Sequence, residues 1–184
     1  AEILEPALRD CFRVVGARVA SFETIIINDG STDGSVRILD RLRKEFPHVR
    51  VTHQLHSGLA RAIRRGCDIA RGEFLFQVDL SQPDCILDFG RFWELKDRYA
   101  LVLGFHPYRG GKLRQGLLWL QTRWIKLWFG AELVEPDAIY RLCRRELAQN
   151  YLLQIPKTNE GVNLGVTLAA YRRSEEHTSE LQSR

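Results

Sequence analysis

The chain has 184 residues, of which 45% are hydrophobic and 27% charged, and its formal net charge is +4. These values are typical of one globular domain and exclude a globally disordered chain. The small positive charge fits an anionic ligand or membrane surface but is too weak to indicate a nucleic-acid partner. The four cysteines form no CxxC pair, which favours a reducing compartment over a zinc site or disulfide framework. No run of eighteen apolar residues occurs, so no membrane-spanning helix is predicted.

Helical and extended patterns alternate along the first hundred residues. Apolar residues spaced by three and four predict a first helix from Leu4, and "FETIIIN" predicts a buried strand. A second helix follows, which Ser31 or Thr32 can cap, and then come the strand "VRVTHQ" and a third helix from Leu59. The strands "EFLFQVDL" and "ALVLGF" flank a fourth helix. This alternation predicts an α/β fold with a mostly parallel sheet.

Two of the predicted strands end in acidic residues. Asp29 and Asp33 follow the first strand, and Asp79 ends the strand "EFLFQVD". Because ligands bind at the carboxyl ends of parallel strands, we expect these acids to share one edge of the sheet. For either acid alone, a helix cap or an Asx-turn is the favoured explanation. Two acid-tipped strands together favour a binding site.

Three stretches resemble a known protein family. They are "IIINDGSTDGS", "HSGLARAIRRGCDIARGEFLFQVD" and "FWELKDRYALVLGF". In this order they resemble the family 2 glycosyltransferases, in particular the polyprenyl-phosphate and dolichyl-phosphate sugar synthases. The resemblance covers residues 1–171 and implies the GT-A fold, a Rossmann-like, mostly parallel sheet flanked by helices. It also implies that the first strand of that fold is missing from this chain.

The resemblance further implies which residues receive a nucleotide-sugar donor. The family's donor-binding segments match the loop after the first strand and the start of the third helix. The candidates in these segments are Asn28, Asp29, Gly30, Ser31, Asp33, Gly58 and Arg61. Asn28 stands where the family has its first acid. Arg61 suits a diphosphate because a guanidinium matches phosphate geometry, but it suits a solvated helix face equally well.

Gln77-Val78-Asp79 lies where the family has its metal-binding Asp-x-Asp motif. Asp79 takes the position of the second acid, whereas Gln77 replaces the first, so we expect a weak site for Mg²⁺ or Mn²⁺. Mg²⁺ often uses one or two carboxylates together with substrate phosphates, so Asp79 alone can suffice. A metal there would neutralise charge on the departing nucleoside diphosphate, which gives Asp79 a catalytic role.

Residues 112–130, "KLRQGLLWLQTRWIKLWFG", contain three of the four tryptophans, four basic residues and no acid. At about 100° per residue, one stripe of this helix carries Leu113, Leu117, Leu120, Trp124, Leu127 and Trp128. Tryptophans and basic residues suit an interface with an anionic membrane. A helix that faces the core of a soluble protein needs the same stripe. The composition favours the membrane interface.

Two further segments suggest acceptor contacts. "EPDAIYRLCRRE", residues 135–146, resembles a family segment in which Asp137 and Arg141 are candidates for acceptor or phosphate contacts. A surface salt bridge is the alternative for this pair. Glu160, in a later loop, is a candidate general base or a plain exposed glutamate.

The predicted activity is transfer of a sugar from a nucleotide-sugar to a polyprenyl-phosphate or saccharide acceptor, with inversion and metal assistance. A catalytically inactive, membrane-associated nucleotide-sugar-binding domain is the alternative. A phospho-accepting receiver domain ranks last, because "LVLGFHPYR" lacks the required lysine. We expect the protein in the cytoplasm, at the inner face of a membrane. Residues 1–171 form the predicted domain, and 172–184 a non-native tail, because "RSEEHTSELQS" resembles a translated sequencing adapter.

Overall fold

The computed structural model of the protein describes residues 4–79, 83–104, 112–129, 138, 140–154 and 161–182. Helices and strands alternate in the first part of the chain. They are α1 (Leu4–Gly16), β1 (Thr24–Asp29), α2 (Ser35–Glu45), β2 (Val49–Gln54), α3 (Leu59–Ile69), β3 (Phe74–Gln77), a 3-10 turn (Pro83–Asp88), α4 (Phe89–Leu95) and β4 (Leu101–Leu103). The remaining elements are α5 (Lys112–Phe129), β5 (Arg141–Arg144), α6 (Arg145–Gln154) and α7 (Val162–Gln182). The predicted α/β fold is confirmed.

The strands form two hydrogen-bonded groups. β1 and β2 pair in parallel, in the register Thr24↔Val49 to Asp29↔Gln54. β5 lies between β3 and β4 and is antiparallel to both, so β3 and β4 run in the same direction. The parallel pair flanked by helices agrees with the prediction, and the antiparallel β5 adds a feature that the alternation of elements did not indicate.

One hydrophobic core covers the first face of the β1–β2 pair. It joins α1, α2 and β2 through Leu8, Phe12, Leu39, Leu42 and Val49. Ile26 of β1 and Val51 of β2 pack against this cluster. Successive strand residues alternate between faces, so Ile27 is directed to the opposite face, where its side chain lies 3.7 Å from the position a Cβ would take on Gly66 of α3. The parallel pair therefore lies between α1–α2 and α3.

The antiparallel sheet is covered on both faces. Leu75, Cys143 and Leu101 stand side by side in the register and pack with α6 and α7. Aromatic rings cover the opposite face, where Phe76 of β3 lies 4.9 Å from Phe89 between ring centroids. α3 joins the two sheets, because it packs on β1 and also places Cys67 against the cluster around Cys143.

The start of α2 and the end of α7 bear on two local predictions. The cap predicted at Ser31 or Thr32 is wrong: α2 begins at Ser35, and Asp33 Oδ1 accepts the Ser35 backbone N–H at 3.1 Å. α7 continues to Gln182, into the segment predicted to be a non-native tail, and the origin of that segment stays a prediction. None of the helices in the described ranges is long and apolar enough to cross a membrane.

Candidate functional site

The parallel register brings the tip of β1 against the tip of β2. Asn28 stands opposite His53, and Asp29 stands opposite Gln54. The Asn28 side chain is buried, donates from Nδ2 to His53 Nδ1 at 3.0 Å, and accepts the backbone N–H of Ser31 at 3.1 Å. Asn28 therefore fixes the start of the loop that follows β1.

The Asp29 carboxylate organises the loop after β2. Its Oδ1 accepts hydrogen bonds from Gln54 Nε2 at 2.8 Å, from the Ser57 backbone at 2.9 Å and from Ser57 Oγ at 3.0 Å. Its Oδ2 accepts the Gly58 backbone N–H at 2.9 Å and lies 3.0 Å from His56 Nδ1. A carboxylate offers about four lone-pair directions, so protein donors already occupy this group. Asp29 ties the tip of β1 to the amino end of α3.

These hydrogen bonds also set the ionisation of the two acids near β1. The bond from Gln54 is the largest cause that lowers the pKa of Asp29 to about 2; the backbone amides of Ser57 and Gly58 add to it, and desolvation opposes it. The bond with Ser35 is the largest cause that lowers the pKa of Asp33, also to about 2. Both carboxylates are therefore anionic at neutral pH.

Two glycines allow these loops to meet. Gly30 has φ +81°, and a Cβ on it would lie only 2.8 Å from the backbone nitrogen of His56. Gly58 has φ +92° and ψ 158°, a conformation that is essentially restricted to glycine. A Cβ on Gly58 would meet nothing within 4 Å. Gly30 is needed for both conformation and close approach, and Gly58 for conformation alone.

The amino end of α3 lies directly beyond Gly58. Gly58 is the N-cap residue and supplies no side-chain cap. The first amides of a helix without such a cap, together with the positive end of its dipole, favour anions. Arg61 lies in the first turn with an exposed side chain. This end of α3 can therefore accommodate a negatively charged group.

The end of β3 presents one carboxylate and one amide. Gln77 Nε2 donates to Asn163 Oδ1 of α7 at 3.2 Å, and Asp79 is half-buried two residues later. One carboxylate combined with phosphate oxygens fits the coordination habits of Mg²⁺, so Asp79 is compatible with a metal shared with a ligand. Asp29 ends β1 and Asp79 follows β3, and these strands belong to different sheets. The expectation that the two acids share one edge of a single sheet is therefore wrong; α3 connects the two sheets.

Arg141 is buried in the interior, at 2% exposure. Its Nε donates to the Ala138 carbonyl at 2.7 Å, a second guanidinium nitrogen donates to the same carbonyl, and a third donates to the Asn163 carbonyl at 2.7 Å and to Thr167 Oγ1 at 3.3 Å. These contacts hold β5 to α7, and a pairing of Arg141 with Asp137 stays a prediction. Asp137 and Glu160 lie outside the described residues.

Three residues at the site were not found from the sequence: Gln54, His56 and Ser57. Gln54 contacts Asp29 because the parallel register pairs the last residues of β1 and β2. His56 and Ser57 follow in the loop that Asp29 draws back over Gly30. The sequence does place Gln54 at the end of a predicted strand. Its contact with Asp29 could be predicted only with the register of β1 against β2.

The members of the predicted α5 stripe whose side chains the structure describes are exposed. Leu120, Trp124 and Leu127 of this stripe are 46%, 53% and 76% exposed, and Trp119, which the sequence places off the stripe, is 61% exposed. Ile125, which the sequence places off the main stripe, is buried at 6%. The described members of the stripe therefore do not form a core-facing surface. Arg123 and Lys126 are exposed on the same helix.

Comparison with known proteins agrees with this architecture. The model of "Glycosyl transferase family 2" matches residues 2–173. The chain is 46% identical over 59 residues to the uncharacterized glycosyltransferase YibD of Escherichia coli (strain K12), which is 32% of this chain and 17% of that protein. It is 31% identical over 108 residues to the chondroitin synthase of Pasteurella multocida (strain Pm70), 55% of this chain and 11% of that protein.

A dolichyl-phosphate beta-glucosyltransferase of Trichomonas vaginalis is 31% identical over 71 residues, 38% of this chain and 22% of that protein. The matched stretches thus span less than a quarter of these three relatives. The names of the relatives support sugar transfer as the general class of activity. Because the family model matches nearly the whole chain, the protein belongs to glycosyl transferase family 2.

Proposed function

We propose that the chain binds a nucleotide-sugar and transfers its sugar, with inversion, to a lipid-phosphate or saccharide acceptor. The family supplies the class of reaction. The observation that carries the donor assignment is the Asp29 carboxylate, whose bonds join the β1 loop to the amino end of α3. This junction combines two glycine-dependent turns with helix amides that favour an anion.

In this proposal the diphosphate of the donor lies at the amino end of α3. The first-turn amides and Arg61 would bind its oxygens, because helix amino ends and guanidinium groups both favour phosphate. Ser31 and Asp33 are exposed on the neighbouring loop and can contact the ribose or base. Asn28 and Asp29 act indirectly, because their hydrogen bonds fix the loops that make these contacts.

Asp79 is the proposed catalytic and metal-binding residue. A divalent metal held by Asp79 and the donor phosphates would neutralise the charge that develops on the nucleoside diphosphate. Gln77 is held by Asn163 and offers at most a neutral oxygen to a cation. We therefore propose a metal site weaker than one built from two carboxylates.

The acceptor determines whether a base is needed. The bond from the anomeric carbon to the phosphate oxygen breaks, its electron pair leaves with the diphosphate, and the acceptor oxygen forms the new bond on the opposite face. A lipid phosphate is already ionised, whereas a sugar hydroxyl must lose a proton to a carboxylate. Glu160 is the proposed base for a hydroxyl acceptor, and Asp137 and Arg141 are proposed to contribute on the acceptor side, Arg141 by holding β5 in place.

A donor assay tests this proposal. The chain is incubated with UDP- and GDP-sugars and Mn²⁺, and release of the nucleoside diphosphate is measured in the presence and absence of lipid phosphate. We expect release with at least one donor and its loss in Asp79→Asn. The matched control is Arg98→Gln, because Arg98 is exposed and lies after α4. This variant should retain activity.

Gln77 in the metal motif favours one alternative, a catalytically inactive nucleotide-sugar-binding domain at a membrane. Such a domain would bind a donor nucleotide without cleaving the donor or transferring the sugar. Binding of UDP or GDP combined with no release from any donor would establish this alternative and contradict the enzymatic proposal.

We further propose that α5 docks on an anionic membrane surface. Its exposed tryptophans and leucines occupy one arc of the helix together with the cation Arg123, which lies 5.4 Å from the Trp119 ring centroid. Tryptophan is favoured at the depth of lipid headgroups, and each basic residue near an anionic surface contributes about 1 kcal/mol. Docking would bring the site to a lipid-phosphate acceptor.

Vesicle sedimentation tests the docking surface. Binding to vesicles that contain anionic phosphatidylserine should fall by at least tenfold when Trp119 and Trp124 are both replaced by alanine. The control is Leu153→Ala, which removes an apolar side chain that is 84% exposed on α6 and should leave binding unchanged. Unchanged binding of the double variant would contradict the docking proposal.

A further inference from the structure

His53 makes a contact that determines which nitrogen of its ring carries a hydrogen. Its Nδ1 lies 3.0 Å from Asn28 Nδ2, and Asn28 Oδ1 accepts the backbone N–H of Ser31 at 3.1 Å. A backbone N–H can only donate, so it fixes which end of the Asn28 amide faces the β1 loop. The NH₂ end must then face His53, and because NH₂ only donates, Nδ1 must accept. The contact therefore requires a neutral His53 with its hydrogen on Nε2.

The groups around the ring come from β1 and α2, the elements that pack against β2. Among the described residues, the carboxylate within 4.0 Å of the ring is that of Asp40 on α2, whose Oδ1 lies 3.8 Å from Nε2. This distance is too long for a hydrogen bond, and the same oxygen lies 3.5 Å from Arg43 Nη2. The neighbour on β1 is the neutral Asn28, and the carboxylate of Asp29 is tied to the loop after β2. A protonated ring would gain an attraction to Asp40 but lose the bond from Asn28.

A proton on Nδ1 would break the link between β2 and the β1 loop. The imidazolium would set an N–H against the NH₂ group of Asn28, so that two donors face each other. Turning the amide would satisfy His53 but would set the NH₂ group against the N–H of Ser31. Asn28 is buried at 6% exposure, so a lost partner leaves an unsatisfied polar group. Protonation of His53 is therefore incompatible with the bond that anchors Ser31.

We propose that His53 is a positioning residue for the nucleotide-sugar: its neutral ring holds Asn28, Asn28 holds the β1 loop, and proton uptake by His53 weakens nucleotide binding. The inference rests on the proposed function, in which Ser31 of this loop contacts the ribose or base. His53 acts through Asn28 and touches neither the donor nor the metal. Donor binding thereby depends on pH and is stronger where His53 is neutral.

Nuclear magnetic resonance of the chain with isotope-labelled histidine tests the first step. The chemical shifts of the ring nitrogens distinguish the two neutral tautomers from each other and from the imidazolium. The His53 signals are identified by their loss in His53→Asn. We expect the Nε2–H tautomer at about pH 8, the upper end of the interval in which histidine titrates. The Nδ1–H tautomer would overturn the inference.

Calorimetric titration with UDP and GDP at about pH 8 and about pH 5.5 tests the second step. His53→Asn keeps an acceptor, because its Oδ1 takes the place of Nδ1, but it cannot gain a proton. His53→Leu has a similar size and offers no acceptor. Lys44→Gln is the control, because Lys44 is exposed on α2. The pKa values of Asp29 and Asp33 are lowered to about 2, so neither acid titrates in this interval.

At about pH 8 we expect the wild type and His53→Asn to bind the preferred nucleotide equally, and His53→Leu about tenfold more weakly, because Asn28 then lacks an acceptor. At about pH 5.5 the wild type should bind about tenfold more weakly than His53→Asn. Both proteins are compared with the same nucleotide at the same pH, so titration of the nucleotide affects them equally. Lys44→Gln should behave as the wild type at both pH values.

Two binding results would overturn the inference. Equal affinities of the wild type and His53→Asn at about pH 5.5 would mean that proton uptake by His53 does not affect the site. Wild-type affinity in His53→Leu would mean that the ring does not hold the loop. In either case the proposed function survives, whereas failure of the wild type to bind UDP or GDP at either pH would overturn both. If His53→Leu fails to fold, as judged by circular dichroism, the comparison of the wild type with His53→Asn decides the question.

Discussion

Asp29→Asn is the substitution that most directly probes how the two loops are held. The replacement keeps the size of the side chain but removes its charge and turns one oxygen into an NH₂ group. Gln54 and Ser57 donate to one oxygen, and Gly58 and His56 lie at the other. Whichever way the amide is oriented, its NH₂ group therefore faces donors that previously had an acceptor.

The pKa of Asp29 indicates the size of the effect. Its folded value is lowered from 3.8 to about 2, and each pKa unit corresponds to about 1.4 kcal/mol. The carboxylate therefore contributes about 2 kcal/mol to the free energy of unfolding at neutral pH. In the variant, the new NH₂ group faces the donors of neighbouring residues, and these unsatisfied polar groups cost about a further 1 kcal/mol. We expect Asp29→Asn to lower the free energy of unfolding by about 3 kcal/mol.

Urea unfolding followed by tryptophan fluorescence measures this loss, with Asp68→Asn, an exposed acid on α3, as the control. Because the folded pKa is depressed, the contribution is complete above the unfolded value of 3.8 and disappears as the pH falls towards 2. The difference between wild type and Asp29→Asn should therefore shrink below about pH 4. A difference under about 0.5 kcal/mol at pH 7, or one that does not change with pH, would refute the reasoning.

Three further predictions concern single positions. Gly30→Ala should lower the free energy of unfolding, measured with urea, more than Gly58→Ala does. Both residues have positive φ, but a Cβ at Gly30 also collides with backbone. We expect losses of about 2–5 kcal/mol for Gly30→Ala and about 1–3 kcal/mol for Gly58→Ala; the reverse order would contradict the geometry. Arg141→Lys should lower the free energy of unfolding by at least about 2 kcal/mol, because lysine cannot reproduce the forked donors to Ala138 and α7; wild-type stability would argue against that role. Gln77→Asp should strengthen Mn²⁺ binding in the presence of UDP or GDP, measured by calorimetry, whereas Gln77→Leu should not. Equal Mn²⁺ affinities of the two variants would place residue 77 away from the metal.

The elements that the sequence predicted well are those with a long and regular apolar pattern. α1 presents Leu8, Phe12 and Val15 to the core at the spacing of a helix, and β1 contains three consecutive isoleucines. Such patterns arise because one face of each element is buried against its neighbours, and the spacing of the apolar residues shows which face that is. The helices and strands up to β4 could therefore be placed from the sequence alone.

β5 shows where this reasoning fails. It has only four residues, with arginine at each end, so it has neither the length nor the alternation of a recognisable strand. Arg141 is nevertheless buried at 2% exposure, because carbonyl and hydroxyl oxygens of its neighbours receive its donors. Burial of a charged side chain depends on such partners, and two of them, Asn163 and Thr167, come from α7, which is distant in the sequence.

The candidate site was predictable in part for the same reason. The sequence placed Asp29 at a strand tip, but its partners Gln54, Ser57 and His56 depend on the register of β1 against β2. The stripe on α5 was also visible, yet periodicity does not tell whether a stripe faces a core or the solvent. Only the exposure of Leu127 and the other members decides that question.

The central claim is that the Asp29 loop and Asp79 serve one nucleotide-sugar site. The most direct test is nuclear magnetic resonance of the isotope-labelled chain with UDP or GDP, in which paramagnetic Mn²⁺ broadens the signals of nearby amides. We expect added Mn²⁺ to broaden the Gly58 and Ser31 amides when the nucleotide is bound, and Asp79→Asn to abolish this broadening. Sharp Gly58 and Ser31 signals in the wild-type chain, with broadening confined to residues near Asp79, would contradict the claim.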